Sequence, residues 1–154
     1  MVSAPYPYVL LLLPAAVLAC DDFRTRRVSV RWLAALGVAA VAAAWTTEGG
    51  RTLLLQTATN AALLLLSGLL FAGYLRLRGL VVRHAFGAGD AVFLLAVAPL
   101  FAPASFLRFL VVTALAALVW WTMRRHRRRT VPFVGVGGCV LAGWVVLQFL
   151  RLWR

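Results

Sequence analysis

The sequence predicts an all-α fold: a polytopic membrane helix bundle of about six transmembrane helices, forming one domain over residues 1–154. Three observations carry that expectation. Of the 154 residues, 64% are hydrophobic and only 13% charged, which is more apolar surface than a soluble domain of this length hides in one core. Apolar runs of membrane-crossing or nearly membrane-crossing length recur from end to end. The sixteen basic residues, all arginine, collect mainly between those runs.

The first run covers residues 4–20 and ends against the acids Asp21 and Asp22. The second, residues 32–47, contains the small-residue stretch GVAAVAAA, suited to close helix packing. The third, residues 52–75, carries Gln56 and Asn60, whose amides are expected to hydrogen-bond across helices. The fourth, residues 89–101, is short for a span; its first turn is expected to line a polar cavity from which lipid is excluded. Residues 105–123 and 131–150 make the fifth and sixth, the latter holding a second small-residue face, GVGGCVLAG. Trp120, Trp121, Trp153, Tyr6 and Tyr8 fall near run ends and read as interfacial anchors.

Arginine placement orients these runs. Loop 1–2 holds Arg24, Arg26, Arg27 and Arg31; loop 3–4 holds Arg76, Arg78 and Arg83; loop 5–6 holds Arg124, Arg125, Arg127, Arg128 and Arg129. Only Arg51, Arg108, Arg151 and Arg154 lie on the other side. The positive-inside rule puts the odd-numbered loops in the cytoplasm and both termini outside, with the short fourth run crossing. The net charge of +12 would point to nucleic acid in a soluble protein. Between spans it answers to orientation and to anionic lipid headgroups, so RRHRRRT (residues 124–130) reads as a topology anchor. The expected partners are membrane lipids and not nucleic acid.

The stretch VLACDDFRTRR (residues 17–27) invites a lipoprotein reading, with Cys20 as a processed N-terminus. A secretory signal carries its positive charge before the apolar run, whereas here the arginines follow it. The first run is therefore expected to stay attached. Cys20 and Cys139 lie far apart without a CxxC pair, so neither a disulfide scaffold nor a zinc site is expected.

The four acids are the chemical signal, because an ionised carboxylate at the bilayer costs several kcal/mol, which makes such an acid a functional candidate. Glu48 sits in an external turn beside Arg51 and reads as a solvated charge. Asp21 and Asp22, at the cytoplasmic end of the first run, and Asp90, at the start of the fourth, share one face of the membrane. Two carboxylates from different helices at matching depth are what an aspartyl hydrolase needs. One must be ionised to take a proton from water and the other protonated to polarise the carbonyl; close approach favours that split, since neighbouring like charges resist joint ionisation. In HAFGAGDAVFL (residues 84–94), Gly87 and Gly89 precede Asp90, where they allow a sharp turn and close approach of another chain. Taken alone, a carboxylate capping a helix start accounts for Asp90 better than catalysis does; the acid facing it at the same boundary is what favours the functional reading. His84 reads as a headgroup-level loop histidine.

With those residues in view, the chain resembles the type IV prepilin leader peptidases and preflagellin peptidases, which are GxGD membrane aspartyl proteases. DFRTRRV (residues 22–28) matches the family's first motif, an aspartate followed by alternating arginines. FGAGD (residues 86–90) matches the GxGD motif, and RTVPFVG (residues 129–135) resembles the Pro-Phe start of the last helix. Asp21, about 100° round the helix from Asp22, is left as local support together with Arg24 and Arg26, and the resemblance implies Asp22 and Asp90 as the catalytic pair and Gly87 and Gly89 as the active-site loop. It implies no metal and no cofactor, a single-span prepilin-like precursor as substrate, and residence in the inner membrane of a prokaryote. Three departures stand out: Val28, Ser29 and Val30 replace the usual Ile-Pro-Asn; Val92 replaces a common lysine; and loop 1–2 is too short for the insert linked to N-methylation. Peptidase activity without methyltransferase activity is the expectation. Two other classes fit part of the pattern: a non-catalytic membrane component of a pilus or secretion system, and a small proton-coupled carrier, which would place an acid at mid-span.

Overall fold

The computed structural model describes residues 6–79, 87–124 and 131–152. Arg83, His84 and Phe86 lie outside the described residues, as do residues 125–130, Trp153 and Arg154. The described elements are all helical, in the order α1 (Tyr6–Val9), α2 (Leu12–Thr25), α3 (Val30–Glu48), α4 (Gly50–Leu77) and α5 (Ala88–Val97). A 3₁₀ turn (Ala98–Leu100), α6 (Pro103–Arg124) and α7 (Phe133–Leu152) complete the chain.

Four helices have the length and apolar character to cross a bilayer: α3, α4, Pro103–Met123 of α6 and Phe133–Leu150 of α7. The chain is a multi-pass helical membrane protein on that ground. Their bounds fall within two residues of the expected runs, because each run ends at a sharp change in polarity. The first and fourth runs differ. The first is broken into α1 and α2, and Pro14, lacking an N–H, lies in the first turn of α2. The fourth is not among the membrane-length helices: α5 and its 3₁₀ turn rise only about 21 Å against a hydrocarbon core of about 30 Å.

The core joins α2, α3, α5 and α7. Leu11, Leu18, Leu36, Phe93, Val97, Leu141 and Val145 are buried there. The small-residue faces do what their composition predicts. Ala40, Ala43 and Ala44 of α3 are buried, and a β-carbon on Gly37 would lie 3.7 Å from Ala96 of α5. On α7, a β-carbon on Gly138 would lie 3.0 Å from the Ala15 carbonyl oxygen, so α2 and α7 are nearly in backbone contact. By contrast α4 buries little: Leu54, Leu55, Leu65, Leu69 and Leu70 are exposed, as suits a helix facing lipid.

Asn60 of α4 performs the cross-helix bonding expected of it. Its Nδ2 donates to the carbonyls of Ala98 (2.9 Å) and Phe101 (2.7 Å), which are freed where α5 passes into the 3₁₀ turn. Tyr8 is more than an interfacial anchor. Its hydroxyl donates to Thr47 Oγ1 at 3.4 Å, and its ring meets Trp144 edge-on at 5.5 Å, fastening α1 to α3 and α7.

Candidate active site at the ends of α2, α5 and α7

Asp22 is the last buried residue of α2. Its carboxylate Oδ2 accepts a hydrogen bond from the Gly135 N–H at 2.7 Å, across 113 residues of sequence. The donor is available because of how α7 begins. The Val136 N–H already bonds the Pro132 carbonyl, so Gly135 carries one of the first-turn amides that a helix cannot satisfy internally. Asp22 therefore meets the positive end of the α7 dipole. Gly135 suits this approach, since a β-carbon there would lie 3.1 Å from the ring of Phe23, the neighbour of Asp22. Phe23 in turn meets Trp120 of α6 at 5.0 Å, so Trp120 belongs to the wall of the site as well as to the bilayer end.

The helix ends three residues after Asp22, at Thr25. Arg26 takes a left-handed conformation (φ 58°), the sole non-glycine residue to do so among those described, and its N–H donates to the Asp22 carbonyl at 3.3 Å. Such a conformation costs about 1–2 kcal/mol in an L-residue. It turns the chain so that Val28 reaches the start of α5, where a β-carbon on Gly89 would touch it at 3.4 Å. The close approach anticipated at Gly89 is thus made by the α2–α3 connection. Gly87 is another matter. Its φ of −79° and ψ of 138° are ordinary extended values, so no sharp turn requires glycine there.

Asp90 stands in the first turn of α5, half-buried. Its Oδ2 accepts a long hydrogen bond, 3.3 Å, from the Gly87 N–H, and its own N–H donates to the Gly87 carbonyl at 3.0 Å. The helix-capping role is therefore present, and Asp22 adds a second influence. Both acids lie outside the four membrane-length helices. Burial pushes the Asp90 carboxyl up to about 6, the Gly87 N–H opposes this, and the Asp22 charge adds to it. Burial raises Asp22 as well, but the Gly135 N–H and the Arg26 charge pull the other way. The Asp22 charge thus bears on Asp90, and the surroundings of the two carboxyls are unlike. Asp22 has a short backbone donor and a cation; Asp90 has a long donor and a neighbouring anion.

The remaining expected site residues divide. Arg26 supports Asp22 electrostatically. Arg24 is exposed on the last turn of α2. Asp21 lies half-buried on an adjoining face, its backbone carbonyl accepting the Thr25 hydroxyl at 3.0 Å. Gly135 escaped the sequence reading as a partner of Asp22. Its signal was the Pro132-Phe133 helix start, which leaves an amide to donate two residues on. Among the described residues no three His, Cys, Asp or Glu side chains gather as a metal site would require. An open apolar groove of about 480 Å³ runs past Phe23, the neighbour of Asp22, and is lined also by Val119, Trp120, Met123, Val136 and Cys139. A larger one, about 740 Å³, follows the outer face of α3 past Ala34, Val38 and Trp45 and holds no acid.

Compared with known proteins, the chain matches no family model, no curated protein and no solved structure.

Proposed function

We propose that the chain is an intramembrane aspartyl endopeptidase that removes the leader of a prepilin-like, single-span precursor at the cytoplasmic boundary of a prokaryotic inner membrane. The observation that carries the reading is the pair of partly or wholly buried carboxyls, Asp22 and Asp90, that different helices hold in unlike surroundings, Asp22 on the Gly135 N–H and Asp90 on the Gly87 N–H. The sequence motifs around them supply the class.

The mechanism follows from the asymmetry. Asp22, backed by the Gly135 N–H and Arg26, is the better-stabilised anion and serves as the base that takes a proton from water. Asp90, raised by burial and by the Asp22 charge, holds the proton and donates it toward the carbonyl oxygen under attack. Water adds to the carbonyl carbon, the tetrahedral centre collapses, and the leaving amine takes up a proton from the pair. The substrate helix must unwind locally, because a helical peptide bond is shielded by its own hydrogen bonds. The apolar groove beside Phe23 offers its membrane segment a lateral approach. With so short a connection between α2 and α3, no methyl transfer accompanies cleavage.

The test is co-expression with candidate pilin or pseudopilin precursors, followed by mass spectrometry of the precursor N-terminus. A shortened, unmethylated product that appears only with this chain supports the reading. Absence of any product with the chain present and folded in the membrane favours a non-catalytic assembly role.

A further inference from the structure

The peptidase reading leaves Cys20 and Cys139 unused, although both are free and exposed. They sit on α2 and α7, whose contacts fix an antiparallel register. Asp22 bonds Gly135, Ala15 and Ala19 face Gly138, and Tyr8 just before α2 meets Trp144. At the tightest point a β-carbon on Gly138 would lie 3.3 Å from that of Ala19. Each cysteine is the next residue along from one of these two. A helix turns about 100° per residue, and on antiparallel helices that step from a shared contact carries both side chains to the same side of the seam. In the 22–135 register they differ in height by two residues, about 3 Å of rise.

The lining of the groove agrees with this placement. Phe23, one helical turn from Cys20, lines the same groove as Cys139, Val136 and Val140.

We propose that Cys20 and Cys139 form a paired-thiol modification site, at which a reversible disulfide staples α2 to α7 on the groove side of the Asp22 seam. The chemistry is thiol–disulfide exchange with an apolar small-molecule disulfide able to enter the groove. One cysteine, as thiolate, attacks a sulfur of the reagent and expels one thiol; the second cysteine displaces the other half as a second thiol. One S–S bond is broken and one formed, two cysteine S–H protons pass to the two released thiols, and the cysteine pair is oxidised as the reagent is reduced. The site is independent of whether the acids are catalytic.

The test treats the full chain in detergent micelles with 4,4′-dithiodipyridine, followed by intact mass measurement and non-reducing peptide mapping. The expected product is a monomer lighter by two hydrogens, carrying no thiopyridyl group and yielding one linked peptide pair containing Cys20 and Cys139. Dithiothreitol restores the starting mass. Cys20→Ser and Cys139→Ser, at exposed positions, should each retain one stable thiopyridyl adduct. A wild-type chain that keeps two adducts, or a disulfide-linked dimer as the main product, overturns the proposal.

Discussion

Replacing Asp22 with Asn removes a charge while keeping an oxygen that can accept the Gly135 N–H at nearly the same place. That change has a definite effect on another residue. Asp90 is held at about 6 by burial first, with the Gly87 N–H opposing and the Asp22 charge contributing. In Asp22→Asn the charge is gone and the burial stays, so Asp90 should titrate below about 6 but still above its ordinary value of 3.8. Because burial outweighs the opposing hydrogen bond, the charge accounts for less than the whole displacement, under about a hundredfold in proton affinity. The sign for stability follows. Between 3.8 and about 6 the folded chain keeps a proton at Asp90 that the unfolded chain has released. The stability from this group is complete below that window and is lost as pH rises through it, and Asp22→Asn narrows the window. A hydrophobic carbodiimide, which reacts with protonated carboxyls, reads the Asp90 midpoint by mass spectrometry of the modified peptide across pH. A midpoint that stays put or rises in Asp22→Asn would refute the claim that the two carboxyls share a field.

Two other substitutions probe the supports of the site. Asn60→Ala leaves the Ala98 and Phe101 carbonyls without their amide donor inside the bundle, and should lower stability by about 1–3 kcal/mol, read as a reduced melting temperature in detergent. Unchanged melting would mean that the α5–α6 turn does not depend on α4. Gly135→Ala puts a β-carbon 3.1 Å from the Phe23 ring beside Asp22, so the ring must yield by tenths of an ångström. Precursor cleavage should slow by about tenfold, with Phe23→Leu restoring part of it; equal rates in all three proteins would contradict the packing argument.

The four membrane-length helices were legible because a bilayer imposes one requirement, length of apolar run, that hydropathy reads directly. The same measure merged α1 with α2, since it registers apolarity but not the break near Pro14, and the thirteen residues of α5 and its 3₁₀ turn stay below membrane length. Asn60 was legible as a polar group that an apolar helix must satisfy. Tyr8 and Trp120 were legible as aromatics near run ends, but hydropathy cannot say whether such a ring faces headgroups or another helix. At the candidate site, the aspartates stood out through their spacing from arginines and glycines. The Gly135 donor did not, because a free amide at a helix start is a property of the backbone, and its meeting with Asp22 depends on α7 returning antiparallel to α2.

The central claim is that Asp22 and Asp90 together hydrolyse a peptide bond at the membrane boundary. The most direct measurement reconstitutes the purified chain in liposomes with a single-span prepilin-like precursor and follows the precursor's new N-terminus over time. The account predicts cleavage by the wild-type chain and none by Asp22→Asn or by Asp90→Asn, with both variants folded and membrane-inserted. Cleavage by either variant at the wild-type rate, or a folded wild-type chain that leaves its confirmed precursor intact, would contradict it.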